Sequence, residues 1–282
     1  MNEALTFKKY KINRWSCYHE HSLSCHVEIM SIEKFTQEKV LSVQRWTSNL
    51  FSFTLTRPAH FKFTAGQFAR IGLKVGDELI VRAYSIVSSP FDETLEFFSI
   101  VVPDGAFTSQ LQYLKVNDEL YLEKIPYGYL TLARYQLPLP KDLWLLATGT
   151  GLAPFLSMLQ DFETWTKYQS IQLVYSVRTE AELAYLDRIQ EMAKIFGEGH
   201  QGFHFIPVIT RDPNARLHER LPVLIENGAL EAAAGLQFNP ETSHVMLCGN
   251  PQMVEDTKEA LKRRGLSMNR RGEGNIAVEN YW

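Results

Sequence analysis

The chain has 282 residues, of which 45% are hydrophobic and 22% charged, and its 29 basic and 32 acidic side chains leave a formal charge of −3. That length is close to two domains at about 150 residues each, and the composition excludes a disordered, collagen-like or coiled-coil chain. The balanced charge gives no overall pull toward nucleic acid or an anionic membrane, and the apolar runs, such as 143–147, are far short of the ~20 residues that a membrane-spanning helix needs.

Residues 1–32 stand apart and read as an N-terminal extension. They gather Cys17, His19, His21, Cys25 and His26 without a lasting helical or strand period. Thiolate and imidazole are zinc ligands, but Cys17 and Cys25 are eight positions apart, which is not a ligand-pair spacing, and no metal site is assigned. The expectation is an unstructured extension, or a start assigned upstream of a true first residue at Met30. Cys248 brings the cysteines to three, an odd count that fits a reducing compartment. The start lacks the basic and apolar segments of a secretory signal, so the cytoplasm is the default location.

Six short stretches rich in β-branched and aromatic residues follow, at 40–46, 50–56, 67–73, 79–86, 95–102 and 119–123. Turn residues such as Arg57-Pro58, Ala65-Gly66 and Ser89-Pro90 separate many of them, the pattern of an antiparallel barrel or sandwich. One helix is predicted at 108–114, entered through Gly105. Within the fourth strand lies Arg82-Ala83-Tyr84-Ser85. Alternation puts Arg82 and Tyr84 on one face and Ala83 and Ser85 on the other, unless the strand bends.

Two prolines in Leu137-Pro138-Leu139-Pro140 suit a stiff connector. Beyond it strands at 143–147, 171–177, 203–209 and 244–248 alternate with helices at 153–165, 180–196, 216–226 and 251–264. Such alternation, with strands apolar on both faces, predicts a parallel sheet covered by helices. The turn Gly149-Thr150-Gly151-Leu152-Ala153-Pro154 leaves the first of these strands and opens a helix, where glycines let a pyrophosphate approach free amides. Arg178 ends the second strand, where an NAD enzyme would usually carry an acidic residue. Arg211 ends the third and Arg220 starts the helix after it. Three arginines at successive carboxyl ends favour a 2′-phosphate, hence NADP over NAD.

Together, Arg82-Ala83-Tyr84-Ser85, Gly149-Thr150-Gly151-Leu152-Ala153-Pro154, Cys248-Gly249-Asn250-Pro251-Gln252-Met253 and Glu279-Asn280-Tyr281-Trp282 resemble the ferredoxin/flavodoxin–NADP reductase family, in its compact bacterial branch. The resemblance implies an antiparallel FAD-binding β-barrel over 33–137 and an NADP-binding α/β parallel-sheet domain over 138–282, with the flavin at their junction. On it, Arg82 pairs with the FAD pyrophosphate beside Ala83, Tyr84 stacks on one flavin face, and Ser85 sits near the flavin N5. Gly105 and Thr108 complete the pyrophosphate site, Thr108 keeping the hydroxyl of the serine common in relatives. Tyr281 covers the other flavin face and Trp282 stacks on the adenine. Thr148, Gly149, Thr150, Gly151 and Gly249 join Arg178, Arg211 and Arg220 around NADP. Ser85, Cys248 and Glu279 are the residues implied at the reacting rings, Cys248 to position the nicotinamide and Glu279 to assist proton movement.

From 255 to 271, Lys258, Lys262, Arg263, Arg264, Arg270 and Arg271 outnumber Glu255, Asp256 and Glu259. This suggests a basic surface that steers an acidic carrier, ferredoxin or flavodoxin, toward the flavin. The expected protein is a monomeric FAD-dependent oxidoreductase exchanging hydride with NADP(H) and single electrons with that carrier. An NAD(P)H-dependent flavin or quinone reductase, an oxygenase reductase component and a non-catalytic FAD/NADP-binding sensor stand as alternatives. No nucleic acid or membrane insertion is expected.

Overall fold

A computed structural model of the chain describes residues 32–76, 78–103, 105–135, 141–196 and 202–280. The cysteine and histidine cluster, Met30, the connector at 137–140, Tyr281 and Trp282 lie outside the described residues.

The first half holds β1 (Phe35–Arg45), β2 (Leu50–Thr56), β3 (Phe68–Val75), β4 (Glu78–Ser85), β5 (Thr94–Ile100), the short helix α1 (Thr108–Leu111) and β6 (Glu119–Glu123). Their antiparallel order is β4-β3-β6-β1-β2-β5. β1 serves two neighbours: its first five residues pair with β6 and the rest with β2. A bulge between Val40 and Ser42 marks the change, since an extra residue bends a strand. The edges β4 and β5 then meet at an Ile86–Phe97 bridge and a Val87 N–H to Glu96 carbonyl bond of 2.9 Å, which closes the sheet into a barrel. Val40, Phe53, Leu55, Ile71, Phe97 and Leu122 fill it, and Phe107 and Leu111 cover one end.

The second half holds β7 (Asp142–Thr148), α2 (Ala153–Leu159), α3 (Phe162–Lys167), β8 (Ser170–Val177), α4 (Leu186–Phe196), β9 (Phe203–Ile209), α5 (Leu221–Glu226), α6 (Ala229–Ala234), β10 (Ser243–Gly249), α7 (Pro251–Arg263) and β11 (Ile276–Asn280). All five strands are parallel, in the order β11-β10-β7-β8-β9. Alternation along β7 sends Leu143, Leu145 and Ala147 toward α2 and α4, and Trp144 and Leu146 toward α5 and α7. The first of these cores also takes in Leu50, Val87, Phe98 and Leu130 of the barrel, so the two sheets share an apolar seam.

Several boundaries differ from expectation. The helix predicted at 153–165 is two, because the Asp161 side chain accepts from the Glu163 N–H and starts a new helix there. α4 begins at Leu186 because Tyr185 before it has φ +63°, and α5 begins at Leu221 behind an extended Arg220. α1 ends at Leu111, and β1 starts at Phe35. α6 and β11 were not foreseen. No described helix is long and apolar enough to cross a membrane.

Candidate active site

The chain runs from β7 outward to β8 and β9, then returns to β10 on the other side of β7. Loops leaving β7 and β10 therefore diverge, and the gap between their carboxyl ends is where an open parallel sheet binds ligands. Gly149, with φ +52°, turns the chain out of β7 into a short 3-10 turn and then α2. A Cβ on Gly151 would collide with the Cys248 carbonyl, and one on Gly249, at φ +140°, with the Thr148 hydroxyl. Two glycines thus let the loops touch. Thr148 Oγ1 ties them, accepting the Asn250 N–H at 3.1 Å, while the Asn250 side chain caps α7 by accepting from Gln252 and Met253.

The barrel reaches this gap through the end of β4. Ser85 Oγ donates to Glu279 Oε1 at 3.2 Å, across the seam between barrel and parallel sheet. Glu279 pairs in register with Cys248, which is fully buried, so the fold brings Ser85 and Cys248 each beside Glu279. Burial pushes the Glu279 carboxyl up to about 7, against the opposing pull of the bond from Ser85. Gly128, with φ +102°, was missed: a Cβ there would stand 2.9 Å from Glu279 Oε2 and 3.0 Å from the Phe68 ring. Paired Phe68–Tyr127 backbone bonds of 2.8 Å hold it in place. A glycine between aromatics in Tyr127-Gly128-Tyr129 was the available signal.

Arg178 follows β8 and Arg211 lies two residues beyond β9, and the Arg211 N–H donates to the Arg178 carbonyl at 2.9 Å. Arg220 caps α5. All three side chains are exposed, and no ion pair among the described residues includes them. On β4, exposure changes along the strand more than between its faces: Arg82 and Ala83 are exposed, Tyr84 and Ser85 buried. The change comes where the barrel closes and meets the seam. Tyr84 lies edge-on to Phe53 and Phe97 and shares a 3.1 Å hydrogen bond with Ser99, and its burial pushes the phenol up to about 12. Near α1, Thr108 Oγ1 accepts the Val102 N–H at 3.0 Å, and a Cβ on Gly105 would come within 3.0 Å of that hydroxyl.

Comparison with known proteins matches the oxidoreductase FAD-binding domain to residues 36–131 and the oxidoreductase NAD-binding domain to 145–259. The chain is 44% identical to a ferredoxin–NADP reductase of Pseudomonas aeruginosa, over 86% of this chain and 95% of that one. It is 43% identical to the flavodoxin/ferredoxin–NADP reductase of Escherichia coli, over 86% and 97%. It belongs to the ferredoxin/flavodoxin–NADP reductase family. A solved ferredoxin NADP+ reductase of Neisseria gonorrhoeae with bound FAD and NADP has the same two-part fold, at TM-score 0.81 and 38% identity over 88% of this chain and 98% of that one.

For a member of this reductase family, the basic run at 255–271 is not the free cationic surface that its composition suggests. Lys258 pairs with Glu255, Lys262 with Glu259, Arg263 with Glu226 and Arg264 with Glu231. α7 starts beside the crevice at Asn250 and its 13 residues lead away for about 20 Å at 1.5 Å per residue. Arg270 and Arg271 lie in the turn before β11, at the opposite end of that strand from Glu279. Nearness in sequence to the C-terminus does not place this run at the crevice.

Proposed function

We propose that this protein passes electrons between NADP(H) and a ferredoxin or flavodoxin through FAD held at the seam. The observation that carries the reading is the Ser85–Glu279 contact, which brings the barrel onto the crevice between β7 and β10. The division at 137/138 into FAD-binding and NADP-binding domains is supported by family matches that fall on either side of it.

The donors present suit both groups. On the barrel, Arg82 is exposed and bonded to the neighbouring Val81 carbonyl, leaving guanidinium N–H groups to meet the FAD pyrophosphate beside Ala83. Gly105 and Thr108 shape the adjoining loop, and Tyr84, one residue from Ser85, is the ring that the resemblance stacks on one flavin face. On the parallel sheet, Thr148, Gly149, Thr150, Gly151 and Gly249 line the nucleotide crevice, while Arg178, Arg211 and Arg220 offer their charge to a 2′-phosphate. Cys248, buried beneath the crevice, sets the depth of the nicotinamide. Glu279 holds a proton near neutrality and exchanges it through the Ser85 hydroxyl. Tyr281 and Trp282 take the flavin face and adenine that the resemblance gives them.

FAD supplies the conversion between a hydride and single electrons. The residues bring two planar rings together and keep water from them. The carrier is ferredoxin, flavodoxin or both, and the reading makes the enzyme a cytoplasmic monomer.

The test is anaerobic mixing of the purified protein with NADPH and a ferredoxin or flavodoxin, following flavin and carrier spectra. A yellow protein that releases FAD and reduces the carrier is expected. A colourless protein that takes up no FAD would end the reading, and strong reduction of free flavin or quinone with no gain from a carrier would favour the alternative.

A further inference from the structure

Barrel and parallel sheet also meet away from the crevice, at a socket that the reductase reading does not use. Tyr185, just before α4, has φ +63°, a left-handed backbone that is costly for a bulky residue and persists only where its surroundings over-determine it. That turn packs its ring against the outer face of the barrel, 4.6 Å from Trp46 and 5.1 Å from Phe98 between centroids. Its hydroxyl donates to Glu96 Oε1 at 2.7 Å and also hydrogen-bonds Ser52. Arg188, in the first turn of α4, donates to Glu96 Oε2 at 2.6 Å. Both carboxylate oxygens of one barrel residue therefore hold one short segment of the parallel-sheet half.

The loop that ends at Tyr185 begins at Arg178. Between them the chain is closed on itself: the Arg178 N–H donates to Glu182 Oε2 at 2.9 Å, the Tyr175 hydroxyl to the Glu182 carbonyl at 3.1 Å, and the Glu182 and Leu183 N–H groups to the carbonyls of Thr179 and Glu180 at 3.0 Å. Such a loop moves as a unit. Other polar links across the seam, among them Ser157 Oγ to the Ser88 carbonyl and Gln160 Nε2 to the Val87 carbonyl at 2.7 Å each, come from α2 and its C-cap and fix the crevice without the socket.

We infer that Tyr185, gripped by Glu96 and Arg188, is a positioning residue that sets where Arg178 stands against the nucleotide's 2′-phosphate. Discrimination between NADPH and NADH is then built in part on the barrel. This rests on the reductase reading of the crevice.

The test compares FAD-loaded wild type, Glu96→Ala and Tyr185→Phe. Calorimetry gives the Kd for 2′-phospho-AMP and for AMP, and steady-state kinetics give KM and kcat with NADPH and NADH. Glu96→Ala should weaken 2′-phospho-AMP about tenfold and raise the KM for NADPH alike, with AMP and kcat within about twofold. Tyr185→Phe, which keeps the ring, should show about threefold. Equal weakening of both nucleotides, or an unchanged ratio, would overturn the inference. Should Glu96→Ala fail to fold or to hold FAD, the ratio in Tyr185→Phe decides. A wild type that binds 2′-phospho-AMP no better than AMP would instead refute the 2′-phosphate reading of the crevice itself.

Discussion

The two ends of the parallel sheet carry their positive charge in opposite ways. At the carboxyl end Arg178, Arg211 and Arg220 are exposed and take part in no ion pair among the described residues. Along α7 and at its C-cap, which lead away from that end, Lys258, Lys262, Arg263 and Arg264 each lie on a glutamate. The second group is the denser in sequence, yet the first is the one without ion pairs among the described residues. A count of charges along a chain measures composition, whereas availability depends on which acids the fold brings alongside.

Breaking the carboxyl end should have the largest effect. On the proposed reading of the crevice, Arg178→Glu with Arg211→Glu removes two charge-assisted partners of the 2′-phosphate, each worth about 1.5–3 kcal/mol, so the KM for NADPH should rise about a thousandfold while that for NADH changes little. Equal losses with both nucleotides would show that these arginines do not meet the 2′-phosphate. Gly249→Ala comes next. The φ of +140° and the clash with Thr148 should lower stability by about 2–3 kcal/mol, read from denaturant unfolding, and weaken nucleotide binding with it. A variant as stable as wild type would mean that the loops have room to separate.

The same contrast explains what the sequence made legible. Strands at 50–56, 119–123 and 203–209 are found to the residue, because short β-rich runs are bounded by turn chemistry. The loops after β7 and β10 are legible because glycines mark close backbone approach. β11 was hidden in Ile276–Asn280, five residues whose strand character comes from pairing with β10 rather than from any pattern of their own. α6 is six residues with four alanines, too short and too uniform for an amphipathic period. The misread patch has the same cause at longer range: the partners of Arg263 and Arg264 are Glu226 and Glu231, 37 and 33 positions away. Likewise Tyr185 is unremarkable as a letter, and only the barrel face against its ring gives its backbone a reason.

Glu279 tests the crevice more gently than the arginines. Burial raises its carboxyl to about 7, so the folded protein keeps the proton through a range where the unfolded chain loses it. The stability this gives the flavin-free protein is fully present below the ordinary carboxylate range near 4.5 and is lost as pH rises through about 7. Glu279→Gln should flatten that dependence in thermal melts taken across the interval. It should also slow turnover by about tenfold to a hundredfold near neutrality and remove a falling limb near pH 7 from the rate profile. A limb that persists in the glutamine variant would assign the titration to another group.

The smallest effect is predicted where the sequence shows the most charge. Lys262→Glu with Arg263→Glu replaces two cations that already lie on glutamates, and exposed pairs of this kind contribute about 0–1 kcal/mol each. Because α7 leads away from the crevice, carrier reduction should stay within about twofold of wild type at low salt, with little change in its salt slope. A large loss of carrier reduction that salt abolishes would return the docking surface to α7. It would mean that the glutamates beside these cations do not cancel their field where the carrier first meets it.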